Sequence, residues 1–339
     1  MTRANVISLG EALIDRLGPL GGDPAVDEPV IDCFGGAPAN VACALSRLGV
    51  NVSFLGSIGN DSFGDQFKNL FITRGVNLIG LHQDKSLPTR VVLVRRDSLG
   101  ERSFGGFTGD KGFGFADQYI SLKKTIKQWP LISNQAQWLI IGTIPMASEN
   151  ALEAFLWIIE KALNDGIKIA LDLNWRPTFW RSELSKTPGP SFKEVNIIKP
   201  LLNKVSLIKL AKEEAQWFFN SFNPTKISSM LANQPSVVVT DGANSVNWLL
   251  NKNSGSTNSI KLSSIVDTTG AGDAFTAGLI YKILSVDLDQ ISSNQCQDII
   301  QFAIGCGAFV CQGIGAIESQ PYLEDVNKLL LSSQKGGIS

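Results

Sequence analysis

Four consecutive residues, Gly270-Ala271-Gly272-Asp273, combine a flexible turn with an acid and lead into a small-residue stretch, Ala274-Phe275-Thr276-Ala277-Gly278-Leu279-Ile280. A glycine-rich turn that opens a helix leaves its first backbone N–H groups without intrahelical partners, and the helix dipole adds partial positive charge there. Such a place binds anions, phosphate above all. Asp273 is the anomaly, because a carboxylate repels phosphate. It has a role if its partner is a hydroxyl whose proton it takes while that oxygen attacks phosphorus. The plain alternative is a helix-start acid that only complements the dipole.

A second glycine-rich helix start stands near the other end of the chain, Phe34-Gly35-Gly36-Ala37-Pro38-Ala39-Asn40-Val41-Ala42. Pro38 suits the first helical turn and Gly49 the helix end. There is no G-x-x-x-x-G-K-[ST], which excludes a P-loop, and no G-x-G-x-x-G after the first strand, which argues against a dinucleotide fold. The single histidine, His82, leaves no material for a multi-histidine metal site or a His-based triad. Chemistry must then rest on carboxylates, Lys, Arg and backbone amides. Cys33, Cys43, Cys296, Cys306 and Cys311 lack C-x-x-C spacing and read as reduced thiols of a cytoplasmic protein. A net charge of −1 without a basic run gives no footprint for nucleic acid. No apolar run reaches the roughly 18 residues a membrane span needs, and the N-terminus lacks a signal-peptide core.

The elements that must position these residues follow a β-α rhythm. Strands are expected at 4–10, 52–58, 138–142, 167–173, 205–210, 236–240 and 246–250. Helices are expected at 37–49, 63–74, 149–163, 211–222, from 270 onward, at 298–311 and at 322–331. Strands alternating with helices predict an α/β fold with a mostly parallel sheet wrapped on both faces. Two segments break the rhythm. Residues 12–34 are Gly- and Pro-rich, and 88–107 reads as a β-hairpin around Asp97-Ser98-Leu99-Gly100-Glu101. Together they predict a small β lid over the site. Residues 1–335 are expected to form one domain, with 336–339 a frayed tail. Hydrophobic residues at 44% supply ample core for 339 residues.

The pairing of Gly35-Gly36-Ala37-Pro38-Ala39-Asn40-Val41-Ala42 with Asp267-Thr268-Thr269-Gly270-Ala271-Gly272-Asp273 resembles the two signatures of the PfkB (ribokinase-like) carbohydrate kinases, over about residues 5–325. Gly10-Glu11-Ala12-Leu13-Ile14-Asp15, Gly100-Glu101-Arg102-Ser103-Phe104 and Asp172-Leu173-Asn174-Trp175-Arg176-Pro177 resemble the fructokinase branch. The resemblance implies a ribokinase-like fold and ATP-dependent phosphorylation of a sugar hydroxyl, O6 of fructose first. The alternatives are 2-keto-3-deoxygluconate, ribose or a nucleoside, or a kinase-like binding subunit without catalysis.

It also implies roles. Asp273 is the general base, and the amides of Gly270, Ala271, Gly272 and Asp273 form the anion hole. Asp15, Gly35, Gly36, Asn40 and Arg176 bind the sugar. Thr240, Gly242 and Gly272 bind the nucleotide; Asp241 stands where many relatives have an apolar residue. Gly307, within 305–315, falls in the region lining adenine, although small residues there equally suit helix packing. Glu214, or its neighbour Glu213, orders Mg²⁺ through water, and Asp267 with Thr269 offers a place for K⁺. The lid is a candidate homodimer contact. Trp175 and Trp180 are read as packing.

Overall fold

The computed structural model describes residues 6–98, 102–108, 114–181 and 188–335. Gly100 and Glu101, the hairpin tip 99–101 and the tail 336–339 lie outside the described residues.

The chain begins with β1 (Val6–Leu9), β2 (Leu13–Leu20), β3 (Ile31–Gly35), α1 (Ala37–Arg47), β4 (Val52–Gly59), α2 (Ser62–Arg74), β5 (Leu81–Asp84), β6 (Val91–Arg96) and β7 (Arg102–Phe107). It continues with α3 (Leu122–Ile132), β8 (Trp138–Ile141), α4 (Glu149–Asn164), β9 (Lys168–Asp172), α5 (Pro177–Trp180), α6 (Phe192–Leu202), β10 (Leu207–Ala211), α7 (Lys212–Phe219) and α8 (Pro224–Ser229). The last part holds β11 (Ser236–Thr240), β12 (Val246–Leu250), β13 (Asn253–Thr257), α9 (Ala271–Ile283), α10 (Ser293–Val310) and α11 (Leu323–Lys335).

Nine strands make one sheet in the order β13-β12-β11-β10-β9-β8-β1-β4-β5. It is parallel from β11 through β5, and β12 and β13 are antiparallel additions. Successive strand residues serve opposite faces. Val6 and Ile140 join the core with α1, α9 and α10, whereas Ile7, Leu139 and Ile141 join the core with α4 and α6. Burial on both faces is why β1 and β8 read as unbroken apolar runs and not as alternation. This is the α/β layout expected from the sequence.

The second sheet, β3-β2-β6-β7, is built from the two segments that broke the rhythm. β2 leaves from the carboxyl end of β1 and β3 returns into α1, so this sheet is rooted beside the site. Its other root is Asp61, which caps α2 through the Gly64 N–H (2.8 Å). The same carboxylate accepts from the Thr89 N–H (2.7 Å) and the Thr89 hydroxyl (2.8 Å). One side chain thereby ties the entry of β6 to the main body.

Three differences from expectation have local causes. α10 starts at Ser293, not 298, because Ser292 and Gln295 form a capping box. α3 and α6 were not anticipated, and each carries an internal proline, Pro130 and Pro200, that interrupts a helical pattern. β5, β13 and α8 are short and carry little periodicity. Among the described residues, no helix is long and apolar enough to cross a membrane.

Candidate active site

The site lies where the carboxyl ends of the parallel strands release the chain, the usual binding edge of open α/β sheets. β1 ends at Gly10-Glu11, β9 at Asp172, β10 at Ala211 and β11 at Thr240. α1 and α9 both begin there.

Gly270 caps α9 with φ 79°, a left-handed conformation open to glycine, and a β-carbon there would lie 2.6 Å from that of Ala316. No side chain caps this helix. Ala271 does not fit the anion hole assigned to it from sequence: its N–H turns back to the Thr268 carbonyl (3.2 Å). The amides of Gly270, Gly272 and Asp273, at the cap and in the first helical turn, are the ones geometry leaves for an anion.

Gly36 caps α1 with φ 95°, and the Ala37 N–H donates to Glu11 Oε1 (3.1 Å). Asp15 lies against Gly35 so closely that a β-carbon there would sit 2.6 Å from Asp15 Oδ2. Asn40 is buried on α1, and its Nδ2 donates to Asp273 Oδ2 at 2.7 Å. This bond joins the two glycine-rich signatures across 233 residues of sequence. Asn40 Oδ1 is buried without a partner.

Asp273 is half-buried by solvent contact, yet its carboxyl is crowded by protein atoms. Burial raises its pKa from 3.8 to about 6; the Asn40 bond opposes this, Asp172 adds to it, and Lys209 and Arg176 oppose it. Arg176 is exposed, donates from Nη1 to the Trp175 carbonyl (3.1 Å), and still pulls on Asp273. Asn40 and Arg176 thus both act on one acid.

The nucleotide-side assignments divide. Thr240 donates to the Leu210 carbonyl (3.3 Å) and Gly242 has φ 53° with open space where a β-carbon would be. Asp241 is explained by an ion pair with Lys212 (2.8 Å). Gly307 is buried, and a β-carbon there would lie 2.9 Å from the Ala271 carbonyl oxygen. Its smallness therefore lets α10 close on α9, the helix-packing alternative that the sequence offered.

The metal candidates are acids already bonded to backbone amides. Glu213 is exposed and Glu214 buried. Both Glu214 oxygens are engaged, Oε1 by the Trp175 N–H (2.6 Å) and Oε2 by the Ala211 N–H (2.7 Å). It stitches the ends of β9 and β10 together. No group of three His, Cys, Asp or Glu that could hold a metal occurs among the described residues. Asp267 Oδ1 accepts from the Thr269 N–H (3.0 Å) and hydroxyl (2.6 Å), and Oδ2 from the Gly315 N–H (3.2 Å). These bonds lock the turn that leads into Gly270.

Residues without an assigned role from sequence also matter. Lys209 and Asp172 form a buried ion pair below Asp273. The signal was a lone lysine in the apolar strand Leu207–Ala211. Glu11 is buried beside the sugar side, and burial above all raises its pKa from 4.5 to about 8. Arg90 and Asp117 form a second buried pair under the smaller sheet.

Comparison with known proteins agrees with this geometry. Residues 3–323 match the pfkB family carbohydrate kinases. A fructokinase of Vibrio alginolyticus is 30% identical over 314 residues, 92% of this chain and 94% of that protein. The crystal structure of a Xylella fastidiosa fructokinase with bound ATP superposes with a TM-score of 0.79 at 25% identity, covering 97% of this chain and 98% of that one. A Vibrio cholerae O395 fructokinase in its fructose-, ADP- and calcium-bound form gives a TM-score of 0.78 at 26% identity, covering 96% and 99%. The chain belongs to the pfkB family of carbohydrate kinases and is a sugar phosphotransferase.

Proposed function

We propose that the protein is a fructokinase, transferring the γ-phosphoryl group of ATP to O6 of fructose with Asp273 as general base. The observation that carries this reading is the 2.7 Å bond between Asn40 and Asp273, which sets a sugar-binding signature against the acid of an anion-binding turn. Asp273 accepts the proton of the attacking hydroxyl. Its pKa of about 6 keeps it ionised at neutral pH while leaving it a better base than an ordinary aspartate. The Gly272 and Asp273 amides meet the charge of the transferring phosphoryl group. Asp15, held against Gly35, accepts sugar hydroxyls, and the unpartnered Asn40 Oδ1 accepts another. Arg176 faces the anionic oxygens, and Thr240 and Gly242 flank the nucleotide.

Magnesium enters with the phosphates of ATP, which suits an ion that keeps its waters and takes few protein ligands. A potassium ion at Asp267 and Thr269 would share the bonds that lock that turn, and turnover in potassium against choline chloride tests it. The smaller sheet acts as a lid, and exposed Leu20 and Ile31, with Val26 in the connection between β2 and β3, offer a homodimer contact that light scattering can weigh. The protein works in the cytoplasm, where ATP is the donor.

A coupled ATP-consumption panel with fructose, glucose, ribose, 2-keto-3-deoxygluconate and adenosine tests the function. Fructose should give the highest kcat/KM. Preference for another member moves the substrate within the family, and no turnover with any would favour a binding subunit.

A further inference from the structure

Beneath the anion-binding turn lies a charged group that the reaction scheme does not use. Lys209 sits on β10, 9% exposed, with its Nζ 3.1 and 3.2 Å from the two oxygens of Asp172 on β9. Asp172 Oδ2 also accepts from the Thr276 hydroxyl of α9 (2.8 Å), and that hydroxyl lies 3.0 Å from the Gly272 carbonyl oxygen one turn earlier. A β-carbon on Gly272 would stand 3.2 Å from Lys209 Nζ. The ammonium is therefore packed against the turn that carries Asp273.

We propose that Lys209 is a positioning residue for phosphoryl transfer: gripped by Asp172 and bound through Thr276 to α9, its ammonium supports the anion-binding turn from beneath and balances the charge around Asp273. The inference rests on Asp273 being the base.

An ammonium below a helix N-terminus is repelled by the dipole unless acids hold it. Here Asp172, Glu214 and Asp273 do so: burial alone would lower the Lys209 pKa, and the three carboxylates outweigh it and raise it. The ammonium offsets at the turn the negative charge that Asp172 would otherwise place beneath it. The groups facing Asp273 are Asn40 from α1, Glu11 after β1, Asp172 from β9, Arg176 after it and Lys209 from β10. Within this set Lys209 and Asp172 act on Asp273 with opposite sign.

The test is the pH dependence of kcat with fructose and MgATP in wild type, Lys209→Met, Asp172→Asn and the double variant. Lys209→Met should move the acid limb to higher pH and lower kcat at neutral pH about ten-fold or more. Asp172→Asn should move the limb to lower pH, and the double variant should return near wild type. A purely structural role would lower kcat in both single variants without opposed shifts, and that result overturns the proposal. If Lys209→Met does not fold, the isosteric Asp172→Asn decides alone: a limb that stays or rises refutes the role. Asp273→Asn separates the two levels. Turnover retained there removes the base itself, whereas an inactive Asp273→Asn beside unmoved limbs removes only the role of Lys209.

Discussion

Two ion pairs among the described residues, Arg90–Asp117 and Lys209–Asp172, are buried and built differently. Under the smaller sheet, Arg90 grips Asp117 with two bonds, 2.7 and 2.9 Å, both side chains 2% exposed. The guanidinium is caged by Phe107, Phe115 and Phe179, whose ring centres lie 5.0, 4.7 and 4.9 Å away. Under the site, Lys209 meets Asp172 at longer distances and shares it with Thr276. A planar fork held bidentate and stacked has one geometry; an ammonium is a point charge that can turn among several acceptors. The first arrangement suits a root that must not move. The second suits a place where charge is redistributed as a proton leaves a hydroxyl and phosphate arrives. Rigidity is placed under the smaller sheet and adjustable charge beneath the turn that carries Asp273.

The largest effect should come from removing what the second pair serves. Asp273→Ala should lower kcat by about 10²–10⁴-fold, the range of general-base catalysis. ATP binding, followed by calorimetry, should survive, because the Gly272 and Asp273 amides belong to the backbone. Near-normal turnover would leave the Lys209 pair with nothing to serve and dissolve the contrast.

The first pair should be broken by stability, not by chemistry. Arg90→Met leaves Asp117 buried and alone, which costs about 3–5 kcal/mol. Denaturant unfolding should report that loss. Arg90→Lys should recover only part of it, since an ammonium cannot reproduce the fork. Full recovery by lysine would mean that the two pairs are equivalent.

These two regions also differ in how far the sequence announces them. Gly270 to Asp273 is a compact string whose turn, helix start and acid are local, so its chemistry can be argued from four residues. The bond from Asn40 to Asp273 spans 233 residues and needs the fold. Lys209 and Asp172 belong to different strands, and only β9–β10 pairing brings them together. Nothing in the sequence singles out Arg90, because its partner, Asp117, lies in a short turn beyond β7. Glycines misled where a close approach of backbone looks the same whether the neighbour is a ligand or a helix. Gly35 and Gly36 stand against site groups, but Gly307 stands against α9. Glu214 shows the same limit: an acid at a helix start gave no sign of the two amides, from Trp175 and Ala211, that it also binds.

Glu11 connects the two regions, since Asp117 and Asp273 both raise its pKa after burial has done most of the work. Below its ordinary value of 4.5 the carboxyl is neutral in folded and unfolded chains alike. As pH rises toward about 8 the unfolded chain releases the proton first, so the folded state loses stability over that window. Glu11→Gln cannot ionise and can keep the bond from the Ala37 N–H. Its Tm relative to wild type should be unchanged at low pH and should rise by a few degrees toward pH 8. A constant difference across pH would mean that Glu11 is neutralised by some other route.

Arg176 supplies the mildest test, because it is the cation that neither pair buries. It caps the short α5, is exposed, and donates only to the adjacent Trp175 carbonyl among the bonds that fix its Nη1. Unlike Arg90 it holds no structure together, and unlike Lys209 it lies on the solvent side of Asp273. Arg176→Ala should therefore leave Tm within about a degree or two, as surface substitutions do. The loss of a charge-assisted bond to the sugar should raise the KM for fructose about ten-fold, with the KM for ATP little changed. If the KM for ATP rises instead, Arg176 serves the phosphates. The three cations would then divide as lid root, turn support and nucleotide clamp, and the sugar would be held by Asp15 and Asn40 without a cation of its own.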